Sequence, residues 1–166
     1  MTMPDNLNVV FAEDDTLFRL MEMALLRRLT PGAEKALTYF FGPDFGEHAD
    51  RLTSLAGRLG LPENIQVTTA QNEAEFDAAL PHSDVIILET TPMPAARLEA
   101  CAERAKHIQQ FGTVARHIDL DAARRLGLSV ANLQRFSSLS SADNIVALVM
   151  ALARNLITAH NQVLAR

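Results

Sequence analysis

The sequence predicts an α/β protein: an open parallel sheet covered by helices on both faces. Three observations carry that expectation. Short apolar runs of the kind buried inside a parallel sheet recur along the chain, most clearly Val85-Ile86-Ile87-Leu88. Between them lie segments whose apolar residues fall three and four positions apart, separated from the runs by glycine and proline stop signals. The alternation continues from end to end with no repeat, low-complexity tract or linker, the pattern of successive βαβ units.

Each element has its own justification. Asn8 to Ala12 is a buried strand, and Asp15 can cap the helix after it, whose inner face is Leu17, Leu20, Met21, Ala24 and Leu25. Thr30-Pro31-Gly32 stops that helix. Lys35 to Phe41 holds Leu37, Tyr39, Phe40 and Phe41, an aromatic-rich run that predicts a second strand ending at Gly42-Pro43-Asp44. A helix is expected from Phe45 to Leu59, with Ala49, Leu52, Leu55, Ala56 and Leu59 inward and Gly60 and Pro62 as its stop. Ile65 to Thr69 reads as a strand, and Asn72-Glu73-Ala74-Glu75 has the capping-box spacing that opens a short helix to Leu80. After the strand Val85 to Leu88, Pro94 fits the first turn of a helix through Leu98 to Arg104. Then come a strand from Ile108 to Phe111, a glycine loop, a helix from Asp119 to Leu126 closed by Gly127, and a strand from Leu128 to Ala131. A serine-rich loop leads to a long apolar helix beginning near Ser141.

Composition bounds the function. With 166 residues and 48% hydrophobic content the chain suits one compact domain and leaves no room for a second full one. Twenty acidic residues against 15 basic ones, with no basic run, argue against a nucleic-acid partner or an anionic membrane surface. The single Cys101 excludes an internal disulfide and reads as an inert, half-buried thiol. Glu13-Asp14-Asp15 near the N-terminus does not fit a secretory signal, and the longest apolar run, Ile145 to Ala153, is far below the roughly 20 residues a bilayer requires. The expectation is a soluble, cytoplasmic protein without a membrane partner.

In such a sheet, ligands bind outside the carboxyl ends of the strands. The loops there are Glu13 to Thr16, Glu89 to Pro94, Gly112 to His117 and Leu133 to Ser140. Glu13-Asp14-Asp15, taken with Asp84 to Glu89 and Met93-Pro94, resembles the magnesium pocket and phosphoacceptor strand of a receiver domain. Glu89 stands where that site needs an aspartate, however, and the simpler role for Asp14 and Asp15 is to complement the dipole of the helix they precede. His48, His82, His107, His117 and His160 show no metal-ligand spacing. There is no Gly-x-Gly-x-x-Gly and no Walker loop, and Ser137 to Ser141 lacks the glycines of a nucleophile elbow and reads as helix-capping hydroxyls.

From Asp84 to Asn155 the residues carry a specific likeness. Asp84-Val-Ile-Ile-Leu-Glu-Thr-Thr-Pro, then Ile108 to Gly112, then Ile118-Asp119-Leu120-Asp121-Ala122-Ala123 with Gly127, then the Ala147-Leu148-Val149-Met150-Ala151-Leu152-Ala153-Arg154 helix resemble the substrate-binding (catalytic) domain of the D-isomer-specific 2-hydroxyacid dehydrogenases. The resemblance implies a flavodoxin-like domain over residues 1–140 and a long interdomain or dimerisation helix over 141–166, packed on a partner chain or domain. It implies a small 2-oxoacid or 2-hydroxyacid ligand, a homodimer through that helix, and NAD or NADP bound by a Rossmann domain that also carries the family's catalytic residues, so this chain has none to name. The substrate-side residues it marks are Thr91, Gly112, Thr113 and Val114.

Departures qualify it. The family's Gly-x-Gly-x-Asp loop is here Gly112-Thr113-Val114-Ala115-Arg116, where a Cβ at Val114 is expected to distort the amide nest that takes a carboxylate. Glu89 replaces a strand-end arginine, and Ala142-Asp143-Asn144 replaces Ala-Glu-His. Arg116, His117 and Arg135 are candidates for a substitute anion site, against the plainer role of solvated loop charges. Three readings follow: the substrate-binding part of an NAD(P)-dependent 2-hydroxyacid dehydrogenase, a stand-alone binding or dimerisation module derived from it, and a receiver-like signalling domain.

Overall fold

The structure, a computed structural model, describes residues 6–133 and 137–165. Five strands, β1 (Asn6–Phe11), β2 (Asn64–Thr69), β3 (Val85–Leu88), β4 (His107–Gln110) and β5 (Ser129–Asn132), form one all-parallel sheet in the order β2-β1-β3-β4-β5. The helices are α1 (Thr16–Leu26), α2 (Pro31–Phe41), α3 (Gly46–Arg58), α4 (Glu73–Ala79), α5 (Ala95–Cys101), α6 (Leu120–Arg125), α7 (Ser137–Ala153) and α8 (Leu156–Leu164), with a 3-10 turn at Leu80–His82. This is the flavodoxin-like order, whose topological switch point lies between β1 and β3.

Alternation along the strands divides the core into two faces. Val10, Ile86, Leu88 and Ile108 pack with Phe76, Leu80, Leu98, Cys101, Ala122 and Ala123 from α4, the 3-10 turn, α5 and α6. Val9, Phe11, Ile65 and Ile87 pack on the opposite side with Phe18 and Met21 of α1. Cys101 is fully buried rather than half-buried, and burial pushes its thiol pKa up. Asp84, just before β3, accepts the Asn8 amide at 2.8 Å and both Nε and Nη2 of Arg104 at 3.2 and 3.1 Å, tying β1 and the end of the α5 segment to the same carboxylate.

The expected strand from Lys35 to Phe41 is a helix. Thr30 caps α2 by accepting the Ala33 amide, Pro31 occupies its first turn, and Ala33, Ala36 and Leu37 recur at helical spacing against Leu20 and Met23 of α1. This third cluster lies outside the sheet, so α2 builds a second layer over α1. The aromatic residues that suggested a strand are on the solvent side: Tyr39 is 79% exposed, and the Phe41 ring stacks on His48 at 4.0 Å.

The chain divides into two compact units at Leu133. In the second, the expected single helix from Ser141 starts instead at Ser137 and is broken after Ala153, where Asn155 adopts a left-handed φ of 51° and the two helical segments meet at 63°. Ile145, Val146, Leu148, Val149, Leu152, Leu156 and Ile157 are exposed. Among the described residues no single helix is long and apolar enough to cross a membrane.

Candidate functional site

The site is built from loops at the carboxyl ends of β1, β3, β4 and β5. Glu13 lies two residues past the end of β1 and reaches across the switch point to the loop after β3. Its Oε2 accepts the Glu89 amide at 2.8 Å, and its Oε1 accepts the Thr90 amide at 2.6 Å, the Thr90 hydroxyl at 3.0 Å and the Thr91 amide. Burial disfavours the charged form of this half-buried carboxyl. The amide of Glu89, the Thr91 side chain and the amides of Thr90 and Thr91 outweigh that penalty and hold its pKa below the usual value. Three consecutive amides thus curl around one internal anion.

Its neighbours in sequence point elsewhere. The Asp14 carboxylate takes the Arg19 Nε at 2.6 Å, a bond that lowers its pKa, and Asp15 caps α1 by accepting the Leu17 amide at 2.7 Å. Glu13, Asp14 and Asp15 therefore face three different partners rather than converging on one point, which removes the geometric basis of the receiver-like reading.

The loop after β3 is stitched to the loop after β4. Met93 bridges Ile118 in parallel register, its amide donating to the His117 carbonyl at 2.7 Å and its carbonyl accepting the Asp119 amide at 3.0 Å. Buried Gln110 donates from Nε2 to the Glu89 carbonyl at 2.5 Å. On the outer side, Arg97 holds the Pro92 carbonyl at 2.8 Å while bonding Asp77 and Glu73 of α4. The β4 loop is in turn fixed from β5: the Leu133 amide donates to the Gly112 carbonyl at 2.9 Å, and Asn132 Nδ2 to the Thr113 carbonyl at 2.7 Å.

Those two bonds orient the loop. In a trans peptide the C=O and the following N–H point in opposite directions, so pinning the carbonyls of Gly112 and Thr113 toward β5 turns the amides of Thr113 and Val114 away from it. The loop reaches this form without any residue from Gly112 to Arg116 at positive φ. Val114 therefore carries no left-handed strain.

The bond from the Met93 amide to the His117 carbonyl joins the loop that carries Thr91 to the end of the Gly112 to His117 loop; Thr91 is half-buried, and Thr113, Val114, Arg116 and His117 are exposed. Arg135 lies outside the described residues. Sequence reasoning missed Glu13, Gln110 and Asn132, whose partners are 76, 21 and 19 positions away. The available signal was an acidic residue directly after a buried strand at the sheet's switch point, which tells of a polar role but not of its partner.

A model of the D-isomer specific 2-hydroxyacid dehydrogenase catalytic domain matches residues 49–164. This chain belongs to that family. The match starts well before Asp84, so the α3 and β2 region belongs to it as well. Formate dehydrogenase of Chaetomium thermophilum is 34% identical over 140 residues, covering 72% of this chain and 37% of the relative. Human D-3-phosphoglycerate dehydrogenase is 31% identical over 110 residues, covering 65% and 21%. Among solved structures, NAD-dependent formate dehydrogenase from Staphylococcus aureus in complex with NAD superposes with a TM-score of 0.54 at 22% identity, covering 94% of this chain and 41% of that one. A 2-hydroxyacid dehydrogenase from Ketogulonicigenium vulgare gives 0.52 at 18% identity, with 95% and 39% covered. The chain spans little more than a third of the length of the curated formate dehydrogenase it matches.

The turn between β1 and α1 does not fit a dinucleotide. A nicotinamide cofactor needs a glycine-rich turn with open amides at the start of a helix, whereas the turn between β1 and α1 carries Glu13, Asp14 and Asp15 and contains no glycine.

Proposed function

We propose that this chain is the substrate-facing wall of an NAD(P)-dependent oxidoreductase acting on a small 2-hydroxy acid, 2-oxoacid or related carboxylate. The hydride chemistry belongs to a nicotinamide-binding domain outside these residues, and the chain alone does not turn over. The observation that supports this reading is the β4 loop, whose Thr113 and Val114 amides are turned away from β5 beside the Thr91 loop. Fixed amide dipoles recognise a carboxylate without having to reorganise when it arrives. Arg116, exposed on the same loop, adds a cation that could clamp the carboxylate from the solvent side. The formate dehydrogenases among the relatives are consistent with a small carboxylate as the shared recognition element.

The second unit joins this wall to its surroundings. The apolar residues of α7 and α8 suit burial against a second copy, giving a cytoplasmic homodimer with residues 1–140 as the substrate-binding domain and 141–166 as the joining segment. A second reading rests on Val114 and Arg116 in place of glycine and aspartate: a stand-alone binding or dimerisation module.

The complete product of the gene encoding this chain tests both. Nicotinamide absorbance followed with pyruvate, glyoxylate and formate, in the direction each allows, should show turnover, with Arg116→Ala raising KM about tenfold, the order expected for one charge-assisted contact. Binding of these carboxylates by a gene product that lacks a nicotinamide-binding domain favours the module. No turnover and no binding contradicts both readings.

A further inference from the structure

We propose that Glu13 is a positioning residue of the substrate site: its carboxylate is the internal template that folds the loop after β3 and so places Thr91 beside the β4 loop. The inference rests on the substrate-side reading above for what the cluster binds, but its geometry stands apart from that reading. A strand end with three successive amides aimed at one point is an anion nest, and such a nest without an anion leaves its N–H groups facing one another. Here both oxygens of Glu13 fill it, one on the Glu89 amide and the other on Thr90 and Thr91. Further hydrogen bonds tie the neighbouring loops together. Gln110 of β4 holds the Glu89 carbonyl, Met93 is bonded on both sides of Ile118, and Asn132 and Leu133 hold the Thr113 and Gly112 carbonyls. One side chain from β1 thus sets the conformation of a loop 76 residues away, and that loop is joined directly to the segment carrying Gly112 and Thr113. The position is filled by a carboxylate, so Glu13 also keeps small carboxylates out of the β3 nest and leaves the β4 loop as the place where they bind.

The test uses the isotope-labelled full chain, in which each amide reports its own hydrogen bond. In Glu13→Ala the amide resonances of Glu89, Thr90 and Thr91 should move while those of the sheet core stay in place. Acetate, a carboxylate free to enter the emptied nest, should bring them back in a saturable way, with no such effect on wild type. Glu13→Asp should restore them in part. Glu13→Gln keeps the shape without the charge and serves if the alanine variant does not fold; its amides should also move. Pyruvate should perturb Thr113 and Val114 in wild type, with the affinity falling about tenfold in Glu13→Ala, the order expected when a loop must be ordered on binding. Unchanged Glu89 to Thr91 resonances in the variants, or a moved set that acetate does not restore in a folded Glu13→Ala, would overturn the proposal. Equal pyruvate affinity in wild type and Glu13→Ala would overturn it too. If wild type ignores pyruvate, glyoxylate and formate alike, the substrate-side reading fails, and the acetate and amide measurements still decide the role of Glu13.

Discussion

Asp84 shows how much one side chain can hold together in this fold. It accepts the Asn8 amide and the Arg104 fork, and its own amide and carbonyl bond Asn8 and Lys106. Removing the carboxylate in Asp84→Ala leaves a strand amide and a guanidinium without their acceptor, so urea unfolding should show a loss of about 2 kcal/mol, the range for charge-assisted bonds. Glu13 makes a pH-dependent contribution, present at neutral pH and lost in acid. Its folded pKa lies below the ordinary 4.5, so its stabilisation is fully present above that value and disappears as pH falls through the lower folded pKa. Glu13→Gln should therefore be less stable than wild type at neutral pH and converge with it in acid, a difference read by paired urea melts. The carboxylate of Asp14 shifts in the same direction through Arg19, and it is unchanged in both proteins, so it cancels in that comparison. At this scale the sequence was legible where a residue acts locally. The caps Asp15, Asn72 and Asp119 all bond amides two or three positions ahead, as their spacing implied. Glu13, Gln110 and Asn132 act through the fold, and nothing local to them names their partners.

Among the elements, α2 separates propensity from packing. Tyr39, Phe40 and Phe41 favour a strand by residue type, but Thr30-Pro31 starts a helix and the Ala33, Ala36 and Leu37 spacing gives it a face that α1 can cover. Two substitutions distinguish the forms. Leu37→Ala should cost about 3 kcal/mol, since Leu37 is fully buried, while Tyr39→Ala should fall within about 0.5 kcal/mol of wild type. In a strand, positions 37 and 39 would share one face and respond alike. At the other end of the chain, the apolar run from Ile145 to Ala153 predicts one long helix. The left-handed Asn155 ends α7 and starts α8, a break with no glycine or proline to announce it. Asparagine is the residue type that visits this conformation most readily after glycine, which is the only cue the sequence offered.

For the whole molecule, strand identity and sheet order follow from the same physics. A parallel sheet buried on both faces requires near-continuous apolar strands, and five of the six expected strands are present, with ends that differ by at most two residues. The sixth was lost to α2 because aromatic content cannot distinguish a strand from a helix whose outer face is aromatic. The family likeness was legible because its motif is local to the β3, β4 and α6 segments; its reach back to residue 49 was not, since that region shares only the alternation of strands and helices. The candidate site sits where this topology puts it, at the carboxyl ends of β1, β3, β4 and β5, and the chemistry proposed for it rests on backbone amides that no side-chain motif records. The most direct measurement is an amide titration of the isotope-labelled chain with pyruvate, glyoxylate and formate. A carboxylate held by the β4 loop should shift Thr113 and Val114 in a saturable way and leave the outer surface of α2 and α3 unmoved. A response centred anywhere else on the sheet, with Thr113 and Val114 unchanged, would contradict the assignment of this loop as the substrate-facing wall.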